Sequence, residues 1–362
     1  MPPLATSIQE PPSKQPRAWL LIGHKAGDNA QLLALAEALG WQFETRRMRY
    51  RPWELLTTLL SGASLAGINR GQSSPLAPPW PDLVITAGRR NESVARWIHR
   101  QSAGATRLVQ IGRPWAALDQ FDLIITTPQY QLPERPIILH NSLPLHGITP
   151  ARLAQAASDW APRLEHLPRP WIGVLIGGDS GPFVFTPQKG ARLGRLVNKL
   201  ATRDGGSLLI TDSARTPTAA FDAFAQQLQA PAWIFRWTAG ARDNPYHAYL
   251  GLADTLVVTG ESMSMMTEAS ATGKPLYIFD PADAPDKPWW QHPHNFRYKP
   301  LSHRLGMWLG PRRMMRDVRG IQQQLVATGR AAWLGDSLKQ LAKPTALDDL
   351  HRAVERVKAL FA

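Results

Sequence analysis

Residues 256–280 read LVVTGESMSMMTEASATGKPLYIFD, and this stretch decides the predicted fold. Two short apolar runs, at 256–259 and 276–279, are typical of buried strands bounded by Gly and Pro. The segment between them has the length and pattern of one short helix. A strand, a helix and a second strand in this order form a βαβ crossover, so the two strands are expected to lie parallel in one sheet.

The turn between the first strand and the helix carries polar side chains. Gly260 allows a tight turn, and Glu261, Ser262 and Ser264 follow where the helix begins. A helix N-terminus presents unpaired N–H groups and the positive end of the helix dipole, so it binds phosphate or carboxylate groups well. Glu268 follows on the helix, where its carboxylate can accept two hydrogen bonds from a sugar diol. The turn therefore indicates a nucleotide site; simple capping by Ser262 is the alternative explanation.

Short buried strands alternate with helical patterns along the chain, which predicts an α/β fold with parallel sheets. A length of 362 residues favours two domains. We expect a first domain at 18–160 and a second at 171–344, joined by a proline-punctuated linker at 161–170. Residues 1–17 are Pro-rich and are expected to be disordered rather than a secretory signal. An amphipathic helix is predicted within 345–362.

Four polar loops of the second domain are expected at one edge of its sheet: GGDSG at 177–181, TDSART at 211–216, NPY at 244–246 and GESMS at 260–264. Because carboxyl ends of parallel strands meet at one edge, such convergence favours a ligand site over four separate caps. Arg215 is the candidate that neutralises phosphate charge, whereas Lys274 is expected at the surface after a helix. The candidate nucleotide-binding residues are Gly178, Asp179, Ser180, Ser213, Arg215, Thr216, Asn244, Tyr246, Glu261, Ser262, Ser264 and Glu268.

The first domain offers two further polar loops. One follows the strand predicted at 18–22, before a helix expected from about residue 30, and the other follows the strand predicted at 83–86. The polar candidates in these loops are Lys25, Asp28, Asn29, Arg89 and Arg90. Asp28 is a candidate general base and His24 is the alternative. An Asp just before a helix is also commonly an N-cap, which is the structural explanation for Asp28.

Composition limits the class of partner. The formal net charge is +13, from 41 Lys and Arg against 28 Asp and Glu, which favours anionic partners. Most of these cations are scattered Arg, so no nucleic acid is expected. The basic, Trp-containing stretch at 46–60 is expected either to dock on an anionic membrane or to form an ordinary surface helix. The chain has no Cys, no metal-ligand spacing of His and no Walker A or GxSxG motif.

Several motifs occur in the order found in the mitochondrial-fission "elongated mitochondria" family and its bacterial relatives. They include KAGDNAQ at 25–31, DLVITAGRR at 82–90, FDLIITTPQY at 121–130 and the stretch at 244–279, so the chain resembles this family over about 18–280. The bacterial members resemble GT-B glycosyltransferases. The resemblance implies GT-B architecture: two Rossmann-like domains face a cleft, the nucleotide sugar binds the second, the acceptor binds the first, and the C-terminal helix packs back on the first.

The final motif also resembles the donor site of the peptidoglycan N-acetylglucosaminyltransferase, in which a Glu holds the ribose. By this likeness Glu268 binds the ribose, and Ser262, Met263 and Ser264 contact the phosphates. Ala214 stands where the family usually carries a second Arg, which leaves Arg215 alone in that loop. On the acceptor side the resemblance implies a base, Asp28 or His24, and binding by Lys25, Asn29, Arg89 and Arg90.

Together these features predict a metal-independent glycosyltransferase without a cofactor. It would move a sugar from a nucleotide sugar, UDP-linked by expectation, to a glycan or lipid-linked acceptor of the cell envelope. We expect it in the cytoplasm, with peripheral association at the inner face of the membrane. Two alternatives are a non-enzymatic adaptor that uses the same scaffold at a membrane, and a sugar-nucleotide epimerase of similar architecture.

Overall fold

The computed structural model describes residues 15–52, 62–180, 183–282, 317–336 and 348–362. Residues 1–14 of the Pro-rich segment and most of the basic stretch at 46–60 lie outside the described residues. Contacts divide the chain into two compact units, and each contains one six-stranded sheet. The first unit comprises Met1–Ile125, Arg135–Leu139 and Leu350–Ala362, and the second comprises Thr126–Glu134 and His140–Asp349.

The sheet of the first unit has the strand order β2-β1-β3-β4-β5-β6. Its strands are β1 (Ala18–Ile22), β2 (Phe43–Arg47), β3 (Leu83–Ala87), β4 (Arg107–Ile111), β5 (Leu123–Thr126) and β6 (Ile138–His140). The β1–β2, β1–β3, β3–β4 and β4–β5 pairs are all parallel. Helix α1 (Ala26–Leu39) connects β1 to β2, and α2 (Arg89–Gln101) connects β3 to β4. Two short 3-10 helices, Arg70–Gln72 and Leu118–Gln120, lie in the connections.

The sheet of the second unit has the order β12-β11-β10-β7-β8-β9, which is the strand order of the Rossmann fold. Its strands are β7 (Trp171–Leu175), β8 (Ser207–Thr211), β9 (Ala232–Phe235), β10 (Thr255–Thr259), β11 (Leu276–Phe279) and β12 (Ala332–Trp333). All five neighbouring pairs are parallel. The prediction of an α/β protein with two parallel sheets is therefore confirmed.

Helices continue the numbering through the rest of the chain. They are α3 (Pro150–Leu164), α4 (Pro187–Arg203), α5 (Thr218–Ala225), α6 (Tyr246–Leu252), α7 (Met263–Ala271), α8 (Val318–Ala327) and α9 (Asp349–Lys358), with a 3-10 helix at Pro128–Tyr130. The stretch at 256–280 forms β10, α7 and β11, as predicted.

The second sheet is buried on both faces. Successive residues of β10 enter opposite cores: Leu256 and Val258 pack in one apolar cluster, and Val257 packs in the other. This alternation follows from the two-residue period of a strand. Because both faces are covered, the strand is apolar at every inward position, which explains its continuous run of hydrophobic residues.

Two helices of the first unit begin earlier than predicted. Helix α1 begins at Ala26, so Asp28 and Asn29 lie in its first turn and not in a loop. Helix α2 begins at Arg89, so Arg89 and Arg90 are helical too. Gly88 has a φ of 69° and turns the chain sharply after β3, which allows the helix to begin at the next residue.

The predicted linker at 161–170 is partly helical. Helix α3 extends to Leu164 and includes Pro162. In the last turn a proline removes only one helical hydrogen bond, so the helix tolerates it there. At the start of this helix Pro150 occupies the first turn, and Thr149 caps the helix by accepting a hydrogen bond from the Arg152 N–H at 3.2 Å.

Candidate functional site

Three of the predicted loops of the second unit meet at the carboxyl ends of β7, β8 and β10. The Gly177 N–H donates to Thr259 Oγ1 at 2.8 Å, and the same hydroxyl donates to Glu261 Oε1 at 2.8 Å. From the loop after β8, the Ser213 hydroxyl donates to the Gly177 carbonyl. The sheet order reverses between β7 and β10, so this meeting point is the place where open α/β sheets bind ligands.

The loops approach closely because glycines stand at their contacts. A Cβ at Gly177 would lie 2.3 Å from Glu261 Oε1 and 2.8 Å from Ser262 Cβ. A Cβ at Gly178 would lie 2.3 Å from the Arg215 carbonyl oxygen, and its φ of +98° also favours glycine. Gly178 forms a parallel bridge with Arg215, and the next residue continues it, since the Asp179 N–H donates to the Arg215 carbonyl at 3.0 Å.

The Arg215 side chain joins two of these loops. Its Nη1 donates to the Asp179 carbonyl oxygen at 2.9 Å, and its Nη2 donates to Ser262 Oγ at 3.3 Å. Ser262 is the residue that precedes the first turn of α7, and its side chain makes no capping hydrogen bond to that helix in the described structure. The guanidinium therefore lies at the N-terminus of α7, where both groups favour a negative ligand.

Glu261 is the most deeply buried charged candidate, with 1% of its surface exposed. Burial raises the pKa of its carboxyl group, and the nearby Arg215 opposes this effect. Its Oε2 atom is buried without a hydrogen-bond partner among the described residues. This buried position suits a side chain that holds the loops together rather than one that contacts a ligand directly.

The fourth predicted loop joins the site through a side-chain pair. The Tyr246 hydroxyl, at the start of α6, donates to the Glu268 carboxylate on α7. Burial raises the pKa of both groups. Asn244 is exposed, and its Oδ1 accepts a hydrogen bond from the Tyr246 N–H at 3.0 Å, so it shapes the loop. Glu268 is thus held by Tyr246 and is half-buried.

Other candidates have structural roles. The Asp179 carboxylate accepts a hydrogen bond from the Phe185 N–H at 2.8 Å, within its own loop. Ser180 pairs through its backbone with Phe183. The Thr216 hydroxyl accepts from the Ser213 N–H at 3.1 Å. Met263 packs in an apolar core cluster, so only its backbone is available for the phosphate contact implied by the resemblance.

Ser264 lies at the start of α7, and Lys274 follows the end of this helix. Ser264 is half-buried in the first turn of that helix. Lys274 is not the exposed surface residue that we expected. Its Nζ donates to the carbonyl oxygens of Gly251 and Ala253, the latter at 2.7 Å, because the last carbonyls of α6 are otherwise unpaired.

Sequence reasoning missed three residues that hold the loops: Gly177, Thr259 and Gln322. Gln322 Nε2 donates to the Gly260 carbonyl at 2.6 Å, and the residue is 1% exposed. The sequence placed Gly177 at the start of a loop and Thr259 at the end of a strand. Nothing in the sequence indicates that these two positions, 82 residues apart, form a hydrogen bond. Gln322 lies on α8, far along the chain, and carries no motif.

All six candidates of the first unit line one pocket of about 100 Å³. It opens at the carboxyl ends of β1 and β3. The six residues are His24, Lys25, Asp28, Asn29, Arg89 and Arg90. The sequence therefore identified a group of residues that the fold does bring together, although they lie in helical turns as well as in loops.

The floor of this pocket is a hydrogen-bonded network. The Asn29 amide donates to the Gly23 carbonyl and accepts from the Gly23 N–H, both at 3.0 Å. The Tyr50 hydroxyl donates to Asn91 Oδ1 at 2.5 Å, and Asn91 Nδ2 donates to the Leu21 carbonyl at 2.6 Å. Asn29 thus fixes the turn after β1, a role that sequence reasoning did not assign to it.

The rim carries the titratable groups. Arg90 Nη1 lies 3.4 Å from His24 Nδ1, and Lys25 Nζ lies 3.7 Å from Asp28 Oδ2. Burial, followed by the charge of Arg90, lowers the pKa of His24. Asp28 is not an N-cap: Lys25 precedes the helix and Asp28 is its third residue. Its carboxylate faces Gly88, whose added Cβ would lie 3.1 Å away.

No described helix is long and apolar enough to cross a membrane. Within the same part of the chain, no group of three or more His, Asp or Glu side chains is arranged to hold a metal ion.

The buried Glu261 predicts a pH dependence of stability. A carboxyl group whose pKa is raised by folding binds a proton more tightly in the folded state. The wild-type protein should therefore lose stability relative to Glu261→Gln as the pH rises from the ordinary pKa of a glutamate through the raised one. Urea unfolding of both proteins between about pH 4 and pH 8 measures this difference.

The exposed Glu165, which follows α3, provides the control. Glu165→Gln should leave the pH profile of stability parallel to that of the wild type, because this carboxylate stays in water. A constant offset between Glu261→Gln and wild type at every pH would contradict the prediction.

Comparisons with known proteins come from the sequence and from the fold. The family model for Mitochondrial fission ELM1 matches residues 26–294. The mitochondrial fission protein ELM1 of Arabidopsis thaliana is 31% identical over 223 residues, which are 55% of this chain and 51% of that protein. The chain thus matches about half the length of this relative.

Two more distant proteins are also similar. The uncharacterized protein RP120 of Rickettsia prowazekii (strain Madrid E) is 25% identical over 296 residues, 73% of this chain and 83% of that protein. A crystal structure of UDP-GlcNAc 2-epimerase from Methanocaldococcus jannaschii, bound to UDP-GlcNAc and UDP, has a TM-score of 0.49 at 9% identity and covers 95% of this chain and 99% of its own. Since the family model covers well over half of the sequence, the chain belongs to the mitochondrial fission ELM1 family.

Proposed function

We propose that this chain is a metal-independent glycosyltransferase that uses a nucleotide sugar, UDP-linked, as its donor. The observation that carries the proposal is the bridge made by Arg215, which joins the loop after β7 to the N-terminus of α7. A guanidinium beside a helix N-terminus forms a site for a negatively charged group held by several donors. The acceptor is proposed to be a glycan or lipid-linked group of the cell envelope.

A diphosphate is the group that such a site suits. Backbone N–H groups of the first turn of α7, the Ser262 hydroxyl and the Arg215 guanidinium provide donors from two elements. In a glycosyl transfer the bond between the anomeric carbon and the phosphate oxygen breaks, and the diphosphate leaves with the bonding electrons. Fixed donors stabilise this developing charge, so no metal ion is required for that step.

The Glu268 carboxylate is proposed to bind the ribose of the donor. A carboxylate accepts hydrogen bonds from both hydroxyls of a sugar diol. The Tyr246 hydroxyl, which donates to the same carboxylate, would fix its orientation and leave its remaining lone pairs for the ligand. Burial raises the pKa of Glu268 and so favours its neutral form, whereas the hydrogen bond from Tyr246 lowers that pKa and favours the ionised form.

The proton of the acceptor hydroxyl is proposed to pass to Asp28 or His24 as the acceptor oxygen bonds to the anomeric carbon. The lowered pKa of His24 keeps its imidazole neutral near pH 7, as a general base requires. Asp28 is an alternative base, and its Oδ2 atom lies 3.7 Å from Lys25 Nζ.

A second candidate function is a non-enzymatic adaptor. The observation that favours it is the relative at 31% identity, whose name is that of a mitochondrial fission protein. An adaptor needs no donor site, so nucleotide binding separates the two functions. Glycosyl transfer is also distinguished from epimerisation, because only transfer releases an amount of UDP that depends on the amount of acceptor.

The first prediction concerns the phosphates. Arg215→Gln should lower the affinity for UDP by about tenfold or more, because a charge-assisted hydrogen bond contributes about 1.5–3 kcal/mol. Affinity for uridine, which has no phosphate, should not change. Isothermal titration calorimetry measures both. Arg203→Gln, at the exposed end of α4, is the matched control and should bind UDP like the wild type. An equal loss for UDP and uridine would show that Arg215 acts only on the fold.

The second prediction concerns the ribose. Wild-type protein should bind UDP more tightly than 2′-deoxy-UDP, and Glu268→Gln should reduce this preference, because an amide offers one acceptor where the carboxylate offers two. Competition binding with the two nucleotides measures the ratio. If Glu268→Gln weakens both nucleotides by the same factor, the ribose assignment is wrong.

The third prediction tests the reaction itself. Thermal-shift screening against UDP-, GDP- and CMP-sugars should show stabilisation by a UDP-sugar, since binding to the folded state alone raises the midpoint. UDP release should then require an acceptor extract from the cell envelope and should fall sharply in Arg215→Gln. No stabilisation by any nucleotide sugar would reject the enzyme in favour of the adaptor, and sugar conversion without UDP release would favour an epimerase.

A further inference from the structure

The pocket of the first unit collects positive charge from two segments of the chain. Lys25 follows β1, and Arg89 and Arg90 open α2 after β3. Among the described residues that line the pocket, Asp28 provides the one carboxylate. Cations therefore predominate among the described side chains that line this small concave space, and a positive lining attracts negative ligands.

The pocket lies where the sheet order of the first unit changes direction. Strand β1 pairs with β2 on one side and with β3 on the other. The connections that leave β1 and β3 at their carboxyl ends therefore diverge and leave a crevice between them. Such switch points are the usual ligand sites of open parallel sheets, so the position supports binding independently of charge.

Two helices also begin at this crevice. Helix α1 has 14 residues and α2 has 13, and neither receives a side-chain cap hydrogen bond from the residue before it, Lys25 or Gly88, in the described structure. Their first turns add the positive ends of two helix dipoles to the side-chain charges. Residues of both first turns also line the pocket.

The effect of this field is visible at His24. Burial is the main cause of its lowered pKa, and Arg90, Lys25 and Arg89 each lower it further, whereas only Asp28 raises it. A neutral imidazole on the rim can donate or accept one hydrogen bond without adding charge. Arg90 lies over the Tyr50 ring at 5.2 Å, and Arg89 lies over the Trp115 ring at 4.6 Å, so both guanidinium groups have defined positions.

The size of the pocket limits the ligand. About 100 Å³ is well below the roughly 300 Å³ at which pockets for drug-sized ligands begin. Such a space has room for one tetrahedral oxyanion. We propose that this pocket is an oxyanion site that binds a phosphate monoester group, carried either by a soluble metabolite or by a lipid headgroup.

This inference concerns the first unit alone and stands whether or not the second unit binds a nucleotide. If the proposed transferase activity is correct, the inference adds that the acceptor carries a phosphate monoester. The test therefore uses proteins that all carry Arg215→Gln, so that phosphate binding at the second unit is reduced and does not determine the result.

The probe is glycerol 3-phosphate, with glycerol as the uncharged reference, measured by isothermal titration calorimetry. The Arg215→Gln protein should bind glycerol 3-phosphate and not glycerol. Adding Arg90→Gln should weaken this binding by about tenfold, as expected for one charge-assisted contact. Adding Arg90→Lys should restore part of it, which shows that charge is required and that the fold survives the change.

Arg100→Gln is the matched control, because it removes the same charge from the same helix. Arg100 is exposed at the opposite end of that helix. It should leave glycerol 3-phosphate binding unchanged. Equal weakening by Arg90→Gln and Arg100→Gln would mean that only the overall charge of the protein matters, and it would overturn the proposal.

Vesicles separate the two sources of the phosphate group. Phosphatidic acid exposes a phosphate monoester, whereas phosphatidylglycerol is anionic but exposes a diester. If phosphatidic acid vesicles bind, and if Arg90→Gln weakens this binding whereas Arg100→Gln does not, the ligand is a lipid headgroup. If the protein binds glycerol 3-phosphate but neither kind of vesicle, the ligand is soluble. Absence of binding to all of these probes, or equal binding of both vesicles in every variant, overturns the oxyanion site.

Discussion

In the second unit, the turn after β7 packs directly against the turn after β10. Gly177 donates its N–H to Thr259, whose hydroxyl holds the buried carboxyl of Glu261, and no space remains there for a side chain on Gly177. The loop after β8 attaches to the same glycine through Ser213. The positions of Arg215 and of the α7 N-terminus depend on this contact, because both are fixed by the loops that it joins.

The two units use the same physical arrangement with different chemistry. In each, polar loops follow parallel strands at a point where the sheet order reverses, and a helix begins immediately after the loop. In the second unit the buried groups are a carboxyl group and hydroxyls, with one guanidinium at the surface of the site. In the first unit cations surround an open pocket. The two units therefore share a similar backbone arrangement at these places but present different side chains to a ligand.

Much of the fold followed from sequence pattern, because strands buried on both faces must be apolar at every position. The bounds of β1 and β11 were predicted to the residue for this reason. The short strands β6 and β12 were missed, since two or three residues at a sheet edge leave no pattern.

Helix starts were less predictable than strands. The φ of Gly88 allows α2 to begin at once, and a positive φ cannot be read from a sequence in which Gly serves many purposes. For the candidate sites, residue type and loop position grouped Arg215 with Ser262 in the second unit, and the structure shows a hydrogen bond between them. In the first unit the six predicted residues line one pocket. The roles of all these residues stay predictions. Gln322 was not predictable, because its contact with Gly260 depends on tertiary packing alone.

The strand order of the second sheet has a consequence for synthesis. Strand β7 leaves the ribosome before its neighbour β10, which begins about eighty residues later in the chain. Until then the Gly177 turn has no Thr259 to receive its N–H. A nascent chain that stalls before β10 would therefore expose one apolar edge of β7, and chaperones that recognise such edges would be expected to hold it.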